Sequence, residues 1–378
     1  MISKSLLQAH LLPLILLMFL SGSFSSPVLA GPMVEPGRVP DQGIQPRLIR
    51  DHSGRIHLVY FKKIPALEKS RKGDLYYRQW DPQRGDWQDS IKVSSQSYSH
   101  LGPVSKASIA IDEAGRIHVV WFLPSLGAYR YSRSNIGRSR FEDERSPVIA
   151  HSDGLEAEAS IAIQGARITI SWHAGDLSHE YKRAVYTLTS TDYGQTFGTV
   201  KLASDPALGA CACCSLATRF DGKGHLQIAY RSAIRDEGRH MQLLTMGSAG
   251  KDNSLRTVGE WQLNSCPVST NVLNGDWLAF EIKGQILMMN VTDGNEATLV
   301  SASEIRQKHP AIAINDNGDR LLVWGEAAGY FAGGSLQMKM YNAQSEVIET
   351  ADHSSQNIPQ FSIAAAVARP DGSFLVLY

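Results

Sequence analysis

The chain has 378 residues, with 37 basic and 37 acidic side chains, 32 glycines and four cysteines. That charge balance gives no electrostatic footprint for nucleic acid or an anionic membrane surface. Short alternating apolar runs, frequent glycine and the lack of any long helical apolar stripe exclude a helical bundle and point to an all-β protein.

The first element is read as an export signal. Lys4 supplies a positive start, residues 11–20 are an apolar run, and Val28, Leu29 and Ala30 fit a cleavage site. The run is about half of the roughly 20 residues that a bilayer span requires. The expectation is therefore a signal peptide over residues 1–30, a protein exported to the periplasm or secreted, and no membrane attachment after cleavage. Residues 31–378 are expected to form a single domain.

Within that domain one pattern recurs: an apolar strand, a turn with glycine, and a second apolar strand often ending in an aromatic. Copies cover residues 49–60, 109–121, 161–172, 217–230, 271–280, 312–324 and 367–378, with turn glycines Gly54, Gly115, Gly165, Gly224, Gly275, Gly318 and Gly372. Asp-Gly and Asn-Gly turns between alternating runs are strong hairpin signals. A repeat of this length carrying short strands is the signature of propeller blades. Third strands are expected at residues 75–80, 129–134, 183–190, 241–246, 285–291 and 336–341. The seventh copy lacks one, so residues 34–45 are expected to close the ring. The fold class is thus a β-propeller of seven blades, with six as the alternative.

Cys211, Cys213 and Cys214 lie within four residues, just before the inner strand of the fourth blade. Cys266 lies just before the inner strand of the fifth. Loops entering inner strands lie on one face around the channel, so the four sulfurs are expected to meet there. Three chemistries fit them. Disulfides suit an even number of cysteines in an oxidising compartment, and a bridge between Cys266 and one of the cluster avoids the strain of an adjacent pair. A thiolate site for Cu or Zn suits clustered sulfur donors. A reactive thiol suits a neighbouring cation such as Arg231.

Loops after second strands open on the same face. They offer His173, Asp176, His179 and Glu180, then Arg231, Arg235, Asp236 and His240, then Glu326. Such a set could bind a ligand or metal, or move protons; His173, Asp176, Glu180 and Arg235 are the ligand-binding candidates. His57 and His118 alternate with apolar residues inside strands and are expected to be packed.

Residues 190–197 (Ser-Thr-Asp-Tyr-Gly-Gln-Thr-Phe) match the Asp-box and resemble sialidases and the wider BNR-repeat propellers. The box implies a sialidase-like fold and places itself away from the active site. Sialidase chemistry implies three arginines around a carboxylate, a Tyr–Glu nucleophile pair and an acid Asp. Arg231, Asp236 and Glu326 are the candidates here, while the expected Phe/Tyr-Arg-Ile-Pro start reads Pro46-Arg47-Leu48-Ile49. A closer resemblance is to an exported sialidase-like subgroup, carried by Cys211-Ala212-Cys213-Cys214, Tyr230-Arg231 and Trp261 through Cys266-Pro267. The expected function is a ligand- or metal-binding module with a cysteine-rich centre at the channel mouth. The alternatives are an exo-sialidase-type glycoside hydrolase acting on glycans and a protein–protein scaffold.

Overall fold

In the computed structural model, residues 31–65, 71–247, 253–329, 332–348 and 356–378 are described; the export signal read over residues 1–30 lies outside them. Residues Gly31–Tyr378 form one compact unit, a seven-bladed β-propeller. The inner strands are Ile44–Arg50, Ser108–Ile111, Ser160–Gln164, Ala217–Phe220, Asn271–Asn274, Gln307–Ile314 and Ala365–Ala368. Each touches the next, and the last touches the first, so the ring is closed.

The hairpins form where the local chemistry demands them. In blade 2 the carboxylate of Asp112 accepts the Arg116 N–H at 2.8 Å, and Gly115 takes the left-handed conformation at φ 80°, which costs least without a Cβ. His118, fully buried in the second strand, ties this turn to the third strand. Its Nε2 lies 3.2 Å from Asp112 and its Nδ1 2.7 Å from the Tyr131 hydroxyl. Blade 1 repeats the device with His57, Asp51 and Tyr77. Both histidines are packed, as their place in the strands predicts.

Seven apolar clusters fill the seven gaps between neighbouring blades. Trp121 and Trp172 are among the largest buried side chains there. The turn at residues 190–197 is built by its own side chains. Asp192 accepts Thr196 N–H and hydroxyl hydrogen bonds, Gly194 has φ 73°, and Phe197 packs edge-on against Tyr131. It joins third and fourth strands, on the face away from the cysteine loops.

One expectation needs correction in detail, and one blade is irregular. The closing strand is shorter than residues 34–45: only Val34–Gly37 pairs, in parallel, with Phe374–Leu377. Pro40–Gln42 then forms a 3-10 turn, and Ile44 already opens the inner strand of blade 1. In blade 2 the fourth strand is reduced to isolated bridges, Tyr131 to Arg145 and Ser134 to Phe141.

The inner strands enclose an axial channel of about 520 Å³. Apolar side chains line much of it. Arg47, Lys106, Glu158, Thr218 and Asn271 add polar groups, and Lys106 and Glu158 are ion-paired. Burial pulls the Lys106 amine down to about 8, and the Glu158 carboxylate resists that.

Candidate functional site

The four cysteines meet. Cys213 is bonded to Cys266, with the two Cα atoms 6.3 Å apart. The Cys211 sulfur lies 2.9 Å from that of Cys214 and 3.6 Å from that of Cys213. The sulfurs of Cys211, Cys213 and Cys214 are all within 4.8 Å of one another. These three residues are at most 5% exposed, whereas Cys266 is exposed. They form a separate core cluster, with Val268 packed on it. Two and four residues further along the chain, Leu216 and Thr270 line the channel, so the centre sits beside the channel at the entries of blades 4 and 5.

The backbone of the cysteine loop is held from both neighbouring blades. Cys211 N–H donates to the Arg231 carbonyl at 2.9 Å. Glu180 stands on a short turn in the loop after the second strand of blade 3. Its Oε1 accepts the Ala212 N–H at 2.7 Å, and its Oε2 is ion-paired with Arg239 of blade 4. Asn271 of blade 5 donates to the Ser215 carbonyl at 2.8 Å.

His173 touches the same loop. Arg183 donates to its Nδ1 at 3.2 Å, so its Nε2 carries the proton and donates to the Cys214 carbonyl at 2.8 Å. Burial, with the Arg183 charge added, pushes the ring down to about 3. The imidazole is therefore neutral and both nitrogens are committed.

Four buried cations, Arg183, Arg231, Arg239 and Lys308, each at most 4% exposed, act electrostatically on the sulfurs. Two carboxylates answer them, Glu180 with Arg239 and Glu281 with Lys308. Among the described residues, Arg183 and Arg231 have no ion-pair partner. The Arg231 guanidinium donates to the carbonyls of Arg239 and Glu281 at 2.8 and 2.6 Å and lies over the Trp261 ring. The Nε–H groups of Arg183, Arg231 and Arg239 are buried with no acceptor. Buried donors left unpaired are costly, and an anion among them relieves that cost.

The two sulfurs of the close pair respond unequally. Burial pushes the Cys211 thiol up, and its hydrogen bond to Cys214 adds to this. Burial also raises Cys214, but the hydrogen bond from Cys211, the Arg231 charge, the Ser269 backbone and Lys308 outweigh it, and the net direction is down. The Cys211 thiol is placed to donate to the Cys214 sulfur, and the nearby cations favour negative charge on Cys214.

Among the described residues, no hydrogen bond or ion pair joins Asp176, Arg235, Asp236 or Glu326 to the cysteine sulfurs. Asp176 is exposed and bonded to Ser178 and His179. Arg235 is exposed, and Asp236 accepts the Tyr181 N–H at 3.1 Å. Glu326 lies on blade 6, paired with Gln307 and Ser335. No hydrogen bond or ion pair among the described residues joins it to Arg231 or Asp236. Sequence reasoning missed Arg183, Arg239, Glu281 and Lys308. Lys308 had a positional signal, because it stands at the start of an inner strand; the others had none beyond their charge.

No protein-family model and no curated protein matches the chain. The fold is similar to that of an α-L-arabinanase from Penicillium chrysogenum, solved with arabinobiose, at a TM-score of 0.51 and 10% identity over 84% of this chain and 98% of that one. An α-L-arabinofuranosidase from Fusarium graminearum, solved with an iminosugar inhibitor, gives the same values. The NanB sialidase from Streptococcus pneumoniae aligns at a TM-score of 0.41 and 12% identity, over 90% of this chain and 66% of that one. At these identities the likeness is one of fold.

Proposed function

We propose that this chain is an exported, single-domain, sialidase-like propeller that works as a binding module, and that its working centre is the cysteine cluster, which takes a thiophilic metal. One observation carries the reading: two unbridged sulfurs in contact, fully enclosed, among four buried cations of which two have no ion-pair partner among the described residues. A purely structural disulfide needs no such surroundings, whereas a pair of thiolates does. Sulfur donors held this close select soft or borderline ions. The sugars bound by the arabinanase and arabinofuranosidase belong to those proteins. Arg231, the arginine a sialidase-type site would draw on, has both terminal nitrogens committed to the Arg239 and Glu281 carbonyls.

The test is elemental analysis of protein taken from its native compartment, paired with a thiol count after denaturation without reductant. The expected result is bound thiophilic metal, lost in the Cys211→Ser, Cys214→Ser double variant, and two titratable thiols once the metal is removed. No metal together with no free thiol would sink the proposal.

A further inference from the structure

The geometry points to a monovalent thiophilic ion, Cu(I), held between Cys211 and Cys214, as the species this centre accepts, in preference to Zn(II). The inference rests on the metal-binding reading and narrows it to one class of ion. Two observations support it, and a third says what binding must change.

The first is the donor inventory. Zinc takes four nitrogen, oxygen or sulfur ligands in structural sites, and at least three protein ligands in catalytic ones. Of the side chains that hydrogen-bond the cysteine loop, His173 and Glu180 are of the types zinc takes, and both are already engaged. His173 spends Nε2 on the Cys214 carbonyl and Nδ1 on Arg183. Glu180 spends one oxygen on Ala212 and the other on Arg239. Cys213 is bonded to Cys266. That leaves two sulfurs, a number too small for zinc and suited to an ion that accepts few soft ligands.

The second is charge. A metal-bound cysteine is a thiolate. Two thiolates offset Arg183 and Arg231, which have no ion-pair partner among the described residues, although the Glu156 carboxylate also acts on Arg183. A monovalent ion adds one positive charge to this enclosed site, and a divalent ion adds two. Uncompensated charge in a water-excluded site is heavily penalised, so the cation surplus discriminates against the higher charge.

The third is reach. On metal–sulfur bonds of about 2.3 Å, a two-coordinate ion holds its sulfurs roughly 4.5 Å apart. The pair stands at 2.9 Å, so it must part to admit the ion. Cys213, 3.6 Å from Cys211, marks the side on which a further sulfur lies near.

The experiment uses the full chain as purified, with the Cys213–Cys266 bridge intact. Cu(I) is supplied under ascorbate and titrated against a chromogenic Cu(I) chelator; Ag(I) serves as a redox-inert counterpart; Zn(II) is titrated against its own chromogenic chelator. The expected result is one Cu(I) or Ag(I) per chain, with Zn(II) weaker by roughly a hundredfold or more. Iodoacetamide-reactive thiols in the unfolded protein should number two before loading. The Cys211→Ala, Cys214→Ala double variant, checked for its fold by circular dichroism, should lose the Cu(I) equivalent. Zn(II) binding as tight as Cu(I) would overturn the choice of ion and leave the metal-binding reading standing. Binding of neither ion, with two free thiols present, would overturn both. A count of zero thiols would show a second bridge between Cys211 and Cys214 and would also overturn both.

Discussion

Removing the Cys213–Cys266 bridge, by Cys213→Ala together with Cys266→Ala, tests how the cysteine loop is anchored. The bridge joins residues 53 apart in sequence. Closing a loop of that length in the unfolded chain removes entropy worth about 4 kcal/mol at 25 °C. Alanine at both positions avoids leaving a lone thiol beside Cys211. Little packing is lost at residue 266, which is exposed, so the entropic term should dominate. Urea unfolding without reductant reads the loss as a midpoint lowered by roughly 1 M or more, given slopes of a few kcal/mol per molar for a chain this long. Wild-type protein treated with a dithiol should lose the same amount. The Cys211→Ala, Cys214→Ala variant is the control for lost packing at buried sulfurs, because a contact spanning three residues constrains almost nothing. A loss under about 1 kcal/mol, or equal losses in the two double variants, would refute the assigned pairing.

Acid should loosen the blades. Burial holds His57 at about 4 and His118 below its usual 6.5, against their aspartate partners. The unfolded chain therefore binds more protons below pH 6.5, and stability falls as pH drops from 6.5 toward 4, with a ceiling of about 3 kcal/mol from His57. A melting temperature flat or rising over that acid interval would contradict this. Tyr131→Phe removes the hydroxyl that faces His118 Nδ1 and should cost about 1–2 kcal/mol in chemical unfolding; no change would mean that the bond is not made. Glu180→Gln keeps an acceptor for Ala212 but breaks the ion pair with Arg239, whose side chain is 5% exposed. A loss of roughly 2–4 kcal/mol is expected, with faster thiol labelling at Cys211; unchanged labelling would show that Glu180 does not hold the loop. Gly115→Ala places a Cβ 2.8 Å from Arg138 at φ 80°. It should cost on the order of 1 kcal/mol, read as a lower melting temperature.

The blades were legible because a hairpin is a local event. Alternation on either side of Asp-Glu-Ala-Gly at residues 112–115 announces the turn without reference to anything distant. The meeting of the cysteines was legible once blades were counted, since Cys214 and Cys266 precede successive inner strands. The pairing was not, because three connectivities satisfy the same spacing. The counter-charges were also hidden. Arg183, Arg239 and Glu281 sit on three different blades, and an arginine beside a strand reads equally well as a solvated edge. The closing strand was placed but overextended: Pro40 enters a 3-10 turn, and the chain needs the residues after Gly37 to travel from the outside of blade 7 to the axis of blade 1.

The parallel pairing of Val34–Gly37 with Phe374–Leu377 has a kinetic consequence. Six blades can each assemble from contiguous chain, but the seventh draws on both extremes of the domain, so the circle stays an open fan until synthesis has reached the last of those residues. Closing contacts of such separation is slow, and during that wait the unpaired margins of the fan are open to stray strand addition. The final latch therefore sets when the protein becomes safe from aggregation, whichever blade folds first.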